Sequence, residues 1–188
     1  EAFAFAEELH RHQRRKGTDV PYVTHLKAVA AIVGEYSGDE NQVIAALLHD
    51  AVEDQGGQAT CDEIRRRFGD AVASYVMGCT DAHCEPRPPW LERKQAFIDA
   101  LSHARPEVRL IVAADKLHNV RTLINDLHAV GDDLWRRFSG RRDGTLWYYR
   151  ECLRALESGW DHPVLRELRE AVGRLEALTA RPAPQQPA

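Results

Sequence analysis

The chain has 188 residues, 44% of them hydrophobic and 29% charged, which is typical of one globular domain with a substantial core. Its net charge of -4 excludes a general attraction to nucleic acid or to an anionic membrane, so phosphate binding would need a local basic cluster. No apolar stretch approaches the ~18–20 residues that cross a bilayer.

Apolar residues recur at helical spacing through most of the chain. The pattern predicts helices over about 2–9, 26–33, 39–51, 60–69, 70–76, 90–101, 107–128, 145–156 and 163–178. Thr24 and Asp39 are predicted N-caps, and Thr60 with Glu63 fits a capping box. Three prolines in four residues mark a loop over 80–89, and Gly140 and Gly144 bracket a predicted basic loop.

No alternation of period two is long enough for a strand, so the predicted fold class is all-α. We expect one compact multi-helix domain over residues 1–178, followed by a disordered Pro-rich tail over 179–188. The Leu-rich stripe of the last helix either contacts a second copy in a homo-oligomer or covers the core. The cysteines form no C-x-x-C pair and no signal peptide pattern is present, which predicts reduced thiols and a cytoplasmic location.

The doublet His49-Asp50 is the most informative feature of the chain. It ends the apolar run 43–48, and Glu53 and Asp54 follow within one helical turn. Burying an unpaired carboxylate or imidazolium is very costly. This group of ionisable residues therefore needs a counter-charge, and a bound metal ion is the simplest one.

A second polar stripe lies on the otherwise apolar helix 107–128. Asp115, Asn119 and Thr122 are spaced i, i+4 and i+7, so they share one face. His25, His49, Asp50 and Asp115 together offer two imidazoles and two carboxylates. Without a thiolate, such a set suits Mn²⁺, Fe²⁺ or Mg²⁺ better than a structural zinc ion.

The order His25, His49-Asp50, Asp115 resembles the H…HD…D pattern of the HD-domain metal-dependent phosphohydrolases. The similarity is closer still to the hydrolase domain of Rel/SpoT-type alarmone enzymes and to the small alarmone hydrolases. The segments that carry it are QRRK (13–16), PYVTH (21–25), ALLHDAVED (46–54), FG (68–69), LERK (91–94) and ADKLHNVRTL (114–123).

The resemblance implies a single HD domain that removes the 3′-pyrophosphate of ppGpp or pppGpp by attack of metal-bound hydroxide. It implies one divalent ion, most often Mn²⁺, with Fe²⁺ or Mg²⁺ as alternatives, on the residues matching His25, His49, Asp50 and Asp115. Glu53 and Asp54 match the residues that activate or place the water. The implied contacts to the guanosine nucleotide are Arg15, Lys16, Asn119, Thr122 and Tyr149.

Two other functions stay open. Trp90 stands where a small alarmone hydrolase presents a basic phosphate contact, which favours an HD phosphohydrolase for another nucleotide. The candidates are an adenosine alarmone, a nucleotide 2′- or 3′-phosphate and NADPH. The other alternative is a catalytically silent HD module that only binds nucleotide, although the intact Glu53-Asp54 pair argues against it. The segments 80–89 and 129–144 match nothing in the family.

Overall fold

The computed structural model describes residues 1–81 and 86–180, which form nine α-helices and one 3₁₀ helix. The α-helices are α1 (Ala2–Leu9), α2 (Val23–Glu35), α3 (Glu40–Leu48), α4 (Ala51–Asp54), α5 (Gly57–Cys79), α6 (Trp90–Leu101), α7 (Pro106–Val130), α8 (Arg141–Glu157) and α9 (Pro163–Ala180). The 3₁₀ helix is Gly131–Arg137.

The predicted all-α class is confirmed. Within the described ranges the only extended pairing is an isolated bridge between Arg14 and Pro21. None of the helices found there is both long and apolar enough to cross a membrane. Residues 82–85 of the predicted loop and 181–188 of the predicted tail lie outside the described residues, so the domain boundary and the tail remain predictions.

Helix α7 is the central element of the fold. It is apolar around most of its circumference, as expected for a helix covered on several sides. It packs against α2, α5, α8 and α9. Its single buried carboxylate, Asp115, is consequently presented inside the protein and not at the surface.

The segment that contains His49-Asp50 is a bend between two helices. The predicted N-cap Asp39 is confirmed, because its carboxylate accepts from the Gln42 amide at 2.8 Å and Gln42 Oε1 accepts from the Asp39 amide at 2.9 Å. Helix α3 then ends at Leu48, and α4 begins three residues later as a four-residue helix. The bend directs His49 and Asp50 toward α7, with Glu53 and Asp54 just beyond.

The two other predicted helix starts with hydroxyl side chains are wrong. Helix α2 begins one residue before Thr24, whose hydroxyl donates back to the Pro21 carbonyl at 2.8 Å. Helix α5 begins three residues before Thr60, whose hydroxyl donates to the Gln55 carbonyl at 2.6 Å. A hydroxyl that donates to a preceding carbonyl does not accept from the first helical amides, so neither residue is an N-cap.

Two further predictions concern where helices are interrupted, one at a glycine and one at a basic segment. The predicted break near Gly69 is confirmed as a kink inside α5, where this glycine has φ 88° and ψ 172°. The predicted basic loop is wrong, because Arg141 and Arg142 form the first turn of α8.

The apolar stripe of α9 belongs to the core. Its buried side chains are Val164, Leu165, Leu168, Val172 and Leu175. The helix packs along α7 and α8. The stripe therefore covers the core of its own chain, and a homo-oligomer remains a prediction without this surface to support it.

Arg109 on α7 ties together the ends of two neighbouring helices. The residue is only 7% exposed. Its guanidinium donates to the carbonyls of Ser102 and Ala104 after α6, at 2.5 and 2.8 Å. It also donates to the carbonyls of Leu156 and Ser158 at the end of α8, at 3.3 and 2.7 Å.

Replacing Arg109 should destabilise the folded protein. We expect Arg109→Met to lower the free energy of unfolding by about 3 kcal/mol, because buried carbonyls lose their charged donor. Urea denaturation measures the loss. Arg154→Met is the matched control, since the Arg154 side chain is 79% exposed and its ion pair among the described residues is with Glu151, one turn away; it should change stability by less than ~0.5 kcal/mol. A loss below about 1 kcal/mol at Arg109 would contradict the structural role.

Candidate active site

The four predicted metal ligands come together from three elements. His25 lies on α2, His49 and Asp50 at the bend between α3 and α4, and Asp115 on α7. One ligand atom from each of His25, His49 and Asp115 lies within 4.8 Å of the other two. Oδ2 of Asp50 is 2.9 Å from His49 Nε2 and 3.6 Å from His25 Nε2.

Two buried nitrogen atoms in this cluster lack a hydrogen bond. Nε2 of His25 and Nε2 of His49 are inaccessible to solvent and have no hydrogen-bond partner among the described residues. Both point toward Asp115 Oδ1, at 3.2 and 3.7 Å. A buried polar atom without a partner destabilises a protein unless something satisfies it. Two imidazole nitrogens facing two carboxylates fit a divalent cation.

The opposite ring nitrogens hold the imidazoles in the orientation that a metal needs. Nδ1 of His49 lies 2.7 Å from the Ala46 carbonyl, which only accepts, so Nδ1 carries a proton and Nε2 is the nitrogen left to face a cation. Nδ1 of His25 lies 2.8 Å from Nδ1 of His118. Burial, together with His25 and Arg15, lowers the pKa of His118 to about 4, so this ring is neutral and can accept. His118 thus supports a ligand from behind.

Both carboxylates remain ionised and oriented. Burial by itself would raise the pKa of Asp50, but the imidazoles of His49 and His25 hold it well below its usual range. The Tyr22 hydroxyl donates to Asp50 Oδ2 at 2.6 Å. Burial likewise opposes ionisation of Asp115, but Lys116, whose Nζ is 2.6 Å from Oδ2, outweighs it and keeps the pKa low. The site therefore carries the negative charge that a divalent ion requires.

Glu53 and Asp54 border the cluster on α4 and line the same cavity. Burial and then the nearby Asp81 carboxylate raise the pKa of Glu53 to about 7. A carboxylate with a pKa near neutrality is well suited to accept and release a proton. Asp54 Oδ2 accepts from Gln13 Nε2 at 2.8 Å.

A cavity of about 290 Å³ opens above the cluster. All five predicted substrate residues line it: Arg15, Lys16, Asn119, Thr122 and Tyr149. Arg15 donates to Asn119 Oδ1 at 2.7 Å, and the Lys16 ammonium lies 5.9 Å from the centre of the Phe138 ring. Cationic and aromatic groups thus line the same cavity as the carboxylates of Asp50 and Asp115, behind which the two imidazoles are buried.

Sequence reasoning missed several residues of this site. Tyr22 and Gln13 lay inside recognised segments but received no role. Asp81 and Lys94 form a buried pair at 2.5 Å on the cavity wall. Tyr22 and Gln13 could have been proposed as hydrogen-bond partners, because each lies in a segment that also contains a predicted site residue. The pairing of Asp81 with Lys94 is visible only in the three-dimensional structure.

The segment 129–144, which matches nothing in the resembling family, also contributes to the wall. Phe138, Ser139 and Gly140 line the cavity. The indole of Trp90 lies against the backbone here, because a Cβ at Gly140 would be 2.7 Å from its Cη2 atom. A side chain at Gly144 would be 3.2 Å from the same atom. The two glycines therefore make room for the tryptophan and do not bracket a loop.

Comparison with known proteins places this site in a family context. A family model described as HD domain matches residues 2–146. The human guanosine-3′,5′-bis(diphosphate) 3′-pyrophosphohydrolase MESH1 is 40% identical over 126 residues, covering 65% of this chain and 68% of the human protein. A probable guanosine-3′,5′-bis(diphosphate) 3′-pyrophosphohydrolase of Synechocystis is 38% identical over 125 residues, covering 65% of this chain and 16% of the longer protein.

Two solved structures have a fold similar to that of this chain. The structure of a metazoan ortholog of SpoT that hydrolyses ppGpp superposes with a TM-score of 0.76 at 30% identity, covering 94% of both chains. The structure of lmo0812 from Listeria monocytogenes superposes with a TM-score of 0.71 at 31% identity, covering 84% of this chain and 99% of the other.

The support that His118 gives to His25 is testable. We expect His118→Ala to weaken Mn²⁺ binding by about 10- to 100-fold, because His25 loses the partner that orients its ring. Isothermal titration calorimetry measures the affinity. His128→Ala is the control, since this histidine lies exposed on the same helix. Equal affinity in the His118 variant and the wild type would contradict the role of this residue.

Metal affinity should also depend on pH. Burial lowers the pKa of His49, but the Asp50 carboxylate outweighs it and raises the pKa well above the ordinary value. A proton therefore competes with a cation for Nε2, and affinity should rise with pH until His49 is deprotonated. We expect up to about a tenfold gain per pH unit as the pH rises through the ordinary imidazole value of 6.5 and beyond it. A flat profile in Mn²⁺ titrations would contradict this competition.

Proposed function

Because the chain belongs to the HD domain family, we propose that it is a metal-dependent hydrolase that removes the 3′-pyrophosphate of ppGpp or pppGpp. The observation that carries the proposal is a pair of imidazole nitrogens, without a hydrogen-bond partner among the described residues, that face two carboxylates lining a cavity with basic residues in its wall. The names of the human and Synechocystis relatives support the choice of substrate.

The HD domain implies a divalent metal, and we propose His25, His49, Asp50 and Asp115 as its ligands. Mn²⁺ is the proposed ion, with Fe²⁺ or Mg²⁺ as alternatives, because the ligands are nitrogen and oxygen atoms without a thiolate. Such an ion, when bound, lowers the pKa of water and offsets charge on a phosphoryl group.

The reaction transfers a phosphoryl group to water. Water attacks the phosphorus next to the 3′ oxygen, the bond from that phosphorus to the 3′ oxygen breaks, and ppGpp yields GDP and pyrophosphate. We assign the proton of the attacking water to Glu53, whose pKa is about 7. Asp54, on the same short helix, orients the water.

The proposed nucleotide contacts follow from the charge of the cavity wall. Lys94 and Lys116 are each paired with a buried carboxylate, so most of their charge is already balanced. Arg15 and Lys16 form no ion pair with a described carboxylate, and we propose them for the guanosine nucleotide. Asn119 and Thr122 would meet its ribose or phosphates, and Tyr149 its opposite side. A nucleotide substrate fits the predicted cytoplasmic location.

Trp90 favours a second candidate function. Its half-buried indole presents an uncharged surface at the cavity wall, where a substrate with phosphates at both ends would gain from a cation. An HD phosphohydrolase for an adenosine alarmone, a nucleotide 2′- or 3′-phosphate or NADPH would meet this surface with fewer charges. Values of kcat/KM over a panel of these compounds, together with ppGpp, distinguish the two functions.

The activity itself is the central prediction. Protein loaded with Mn²⁺ should convert ppGpp to GDP and pyrophosphate, and Glu53→Gln should lower kcat by about 10²- to 10⁴-fold because the proton acceptor is lost. Anion-exchange chromatography of the products measures both. Glu92→Gln is the matched control, as Glu92 lies exposed on α6. Absence of turnover with Mn²⁺, Fe²⁺ and Mg²⁺ would refute ppGpp hydrolysis.

A further inference from the structure

A polar network surrounds the Asp54 carboxylate at the wall of the cavity. It consists of His10, Gln13, Gln55 and Asp54, and we call it the Gln13 network. Gln13 Oε1 lies 2.6 Å from His10 Nδ1 and 2.7 Å from Gln55 Nε2, while Gln13 Nε2 lies 2.8 Å from Asp54 Oδ2. Among the four, only Asp54 has a proposed role in the reaction.

The direction of each hydrogen bond in this network follows from its partners. A carboxylate only accepts, so the Gln13 atom that faces Asp54 must be the amide nitrogen. Gln13 Oε1 therefore faces Gln55 and His10 and accepts from both, and His10 must carry its proton on Nδ1. Turning the Gln13 amide over would place two oxygens 2.8 Å apart and break all three bonds. The amide has one favourable orientation.

Backbone hydrogen bonds also hold Gln13 in place. Its amide donates to the His10 carbonyl at 3.0 Å, and its carbonyl accepts from the Tyr22 amide at 3.1 Å. His10 is 2% exposed, and its ring stacks on Tyr22 with centroids 5.3 Å apart. Gln13 is thus half-buried and held by its backbone and by contact with the buried His10 ring.

Asp54, by contrast, lies on a weak element. Helix α4 has only four residues, so few intrahelical bonds hold it. Gly56 and Gly57 follow, both with positive φ, at 119° and 60°. Because glycine loses more conformational freedom on folding than other residues, this region depends on contacts from elsewhere. The hydrogen bond from Gln13 is the side-chain contact that the structure gives to the Asp54 carboxylate.

We propose that Gln13 is a positioning residue for the hydrolytic reaction, which holds Asp54 Oδ2 and leaves Oδ1 for the attacking water. This inference rests on the proposed function, because it assigns a partner to one of its residues. Gln13 acts through Asp54 and without chemistry of its own. Its loss should therefore lower kcat more than it changes KM.

The first test compares Gln13→Met with Gln58→Met. Gln58 is the matched control, since its Nε2 also donates to a carboxylate, Asp62, at 3.0 Å, but on the exposed face of α5. We expect Gln13→Met to lower kcat by about 10- to 100-fold, because a displaced catalytic group loses its alignment. KM and bound metal should stay within about threefold of the wild type. Gln58→Met should match the wild type throughout.

A double-mutant cycle tests whether Gln13 affects kcat through Asp54 or independently of it. In an Asp54→Ala background, Gln13→Met should cause little further loss of kcat, since the group that it orients is gone. If the two effects multiply instead, Gln13 acts independently of Asp54 and the inference is wrong. Full kcat in the single Gln13 variant would refute it equally. Should Gln13→Met fail to fold, Gln13→Glu keeps the shape and removes the donor when ionised.

A spectroscopic test does not depend on the substrate. The side-chain amide protons of ¹⁵N-labelled Gln13 should exchange slowly with solvent, and Asp54→Ala should speed their exchange and shift their resonance. Asp62→Ala should leave the Gln13 signals unchanged. Inactivity of the wild type on ppGpp would count against the proposed substrate alone. A Gln13 amide that does not respond to Asp54→Ala would overturn the positioning role whatever the substrate.

Discussion

The structure places one strong electrostatic constraint on the fold, because buried imidazoles and carboxylates from distant parts of the chain lie within a few ångströms of one another. His25, His49 and Asp115 are each at most 7% exposed. Isolated in an apolar core, any one of them would be strongly destabilising. Brought within 4.8 Å of one another, they become complementary to a cation. Helices α2 and α7, which carry His25 and Asp115, and helix α3, which ends just before His49, pack against one another.

Around this centre, neutral hydrogen-bonding groups orient the charged ones. His118 supports His25, the Ala46 carbonyl supports His49, and Tyr22 supports Asp50. Such contacts restrict the rotation of a ligand before any ion binds, which lowers the entropy lost on binding. The Gln13 network extends the same principle to the proposed catalytic carboxylate. The oriented histidines and aspartates thus lie on or directly between packed helices, whereas residues of the 13–22 turn and of the 138–145 segment line the cavity beside them.

Particular residues show how far the sequence could predict this arrangement. Asp39 could be predicted as an N-cap because a short acidic side chain before an apolar helical pattern acts locally, and the structure adds a capping box with Gln42. Thr24 and Thr60 also precede apolar helical patterns, but their hydroxyls donate to preceding carbonyls and do not accept from the first helical amides. The neighbouring residues do not show which of these two hydrogen bonds a threonine will form. The 138–145 wall escaped prediction since its fit depends on Trp90, about fifty residues away, packing on Gly140.

The sequence by itself determined the all-α class, through apolar spacing, and the types of residue in the site. It did so because helical periodicity and a charged doublet at the end of an apolar run constrain a chain locally. Tertiary structure alone decided which nitrogen of His25 and of His49 faces the carboxylates and which side chain donates a hydrogen bond to Asp54. It also placed the Trp90 indole in the wall of the cavity. Those features depend on distances between segments that lie far apart in the chain, which residue spacing does not encode.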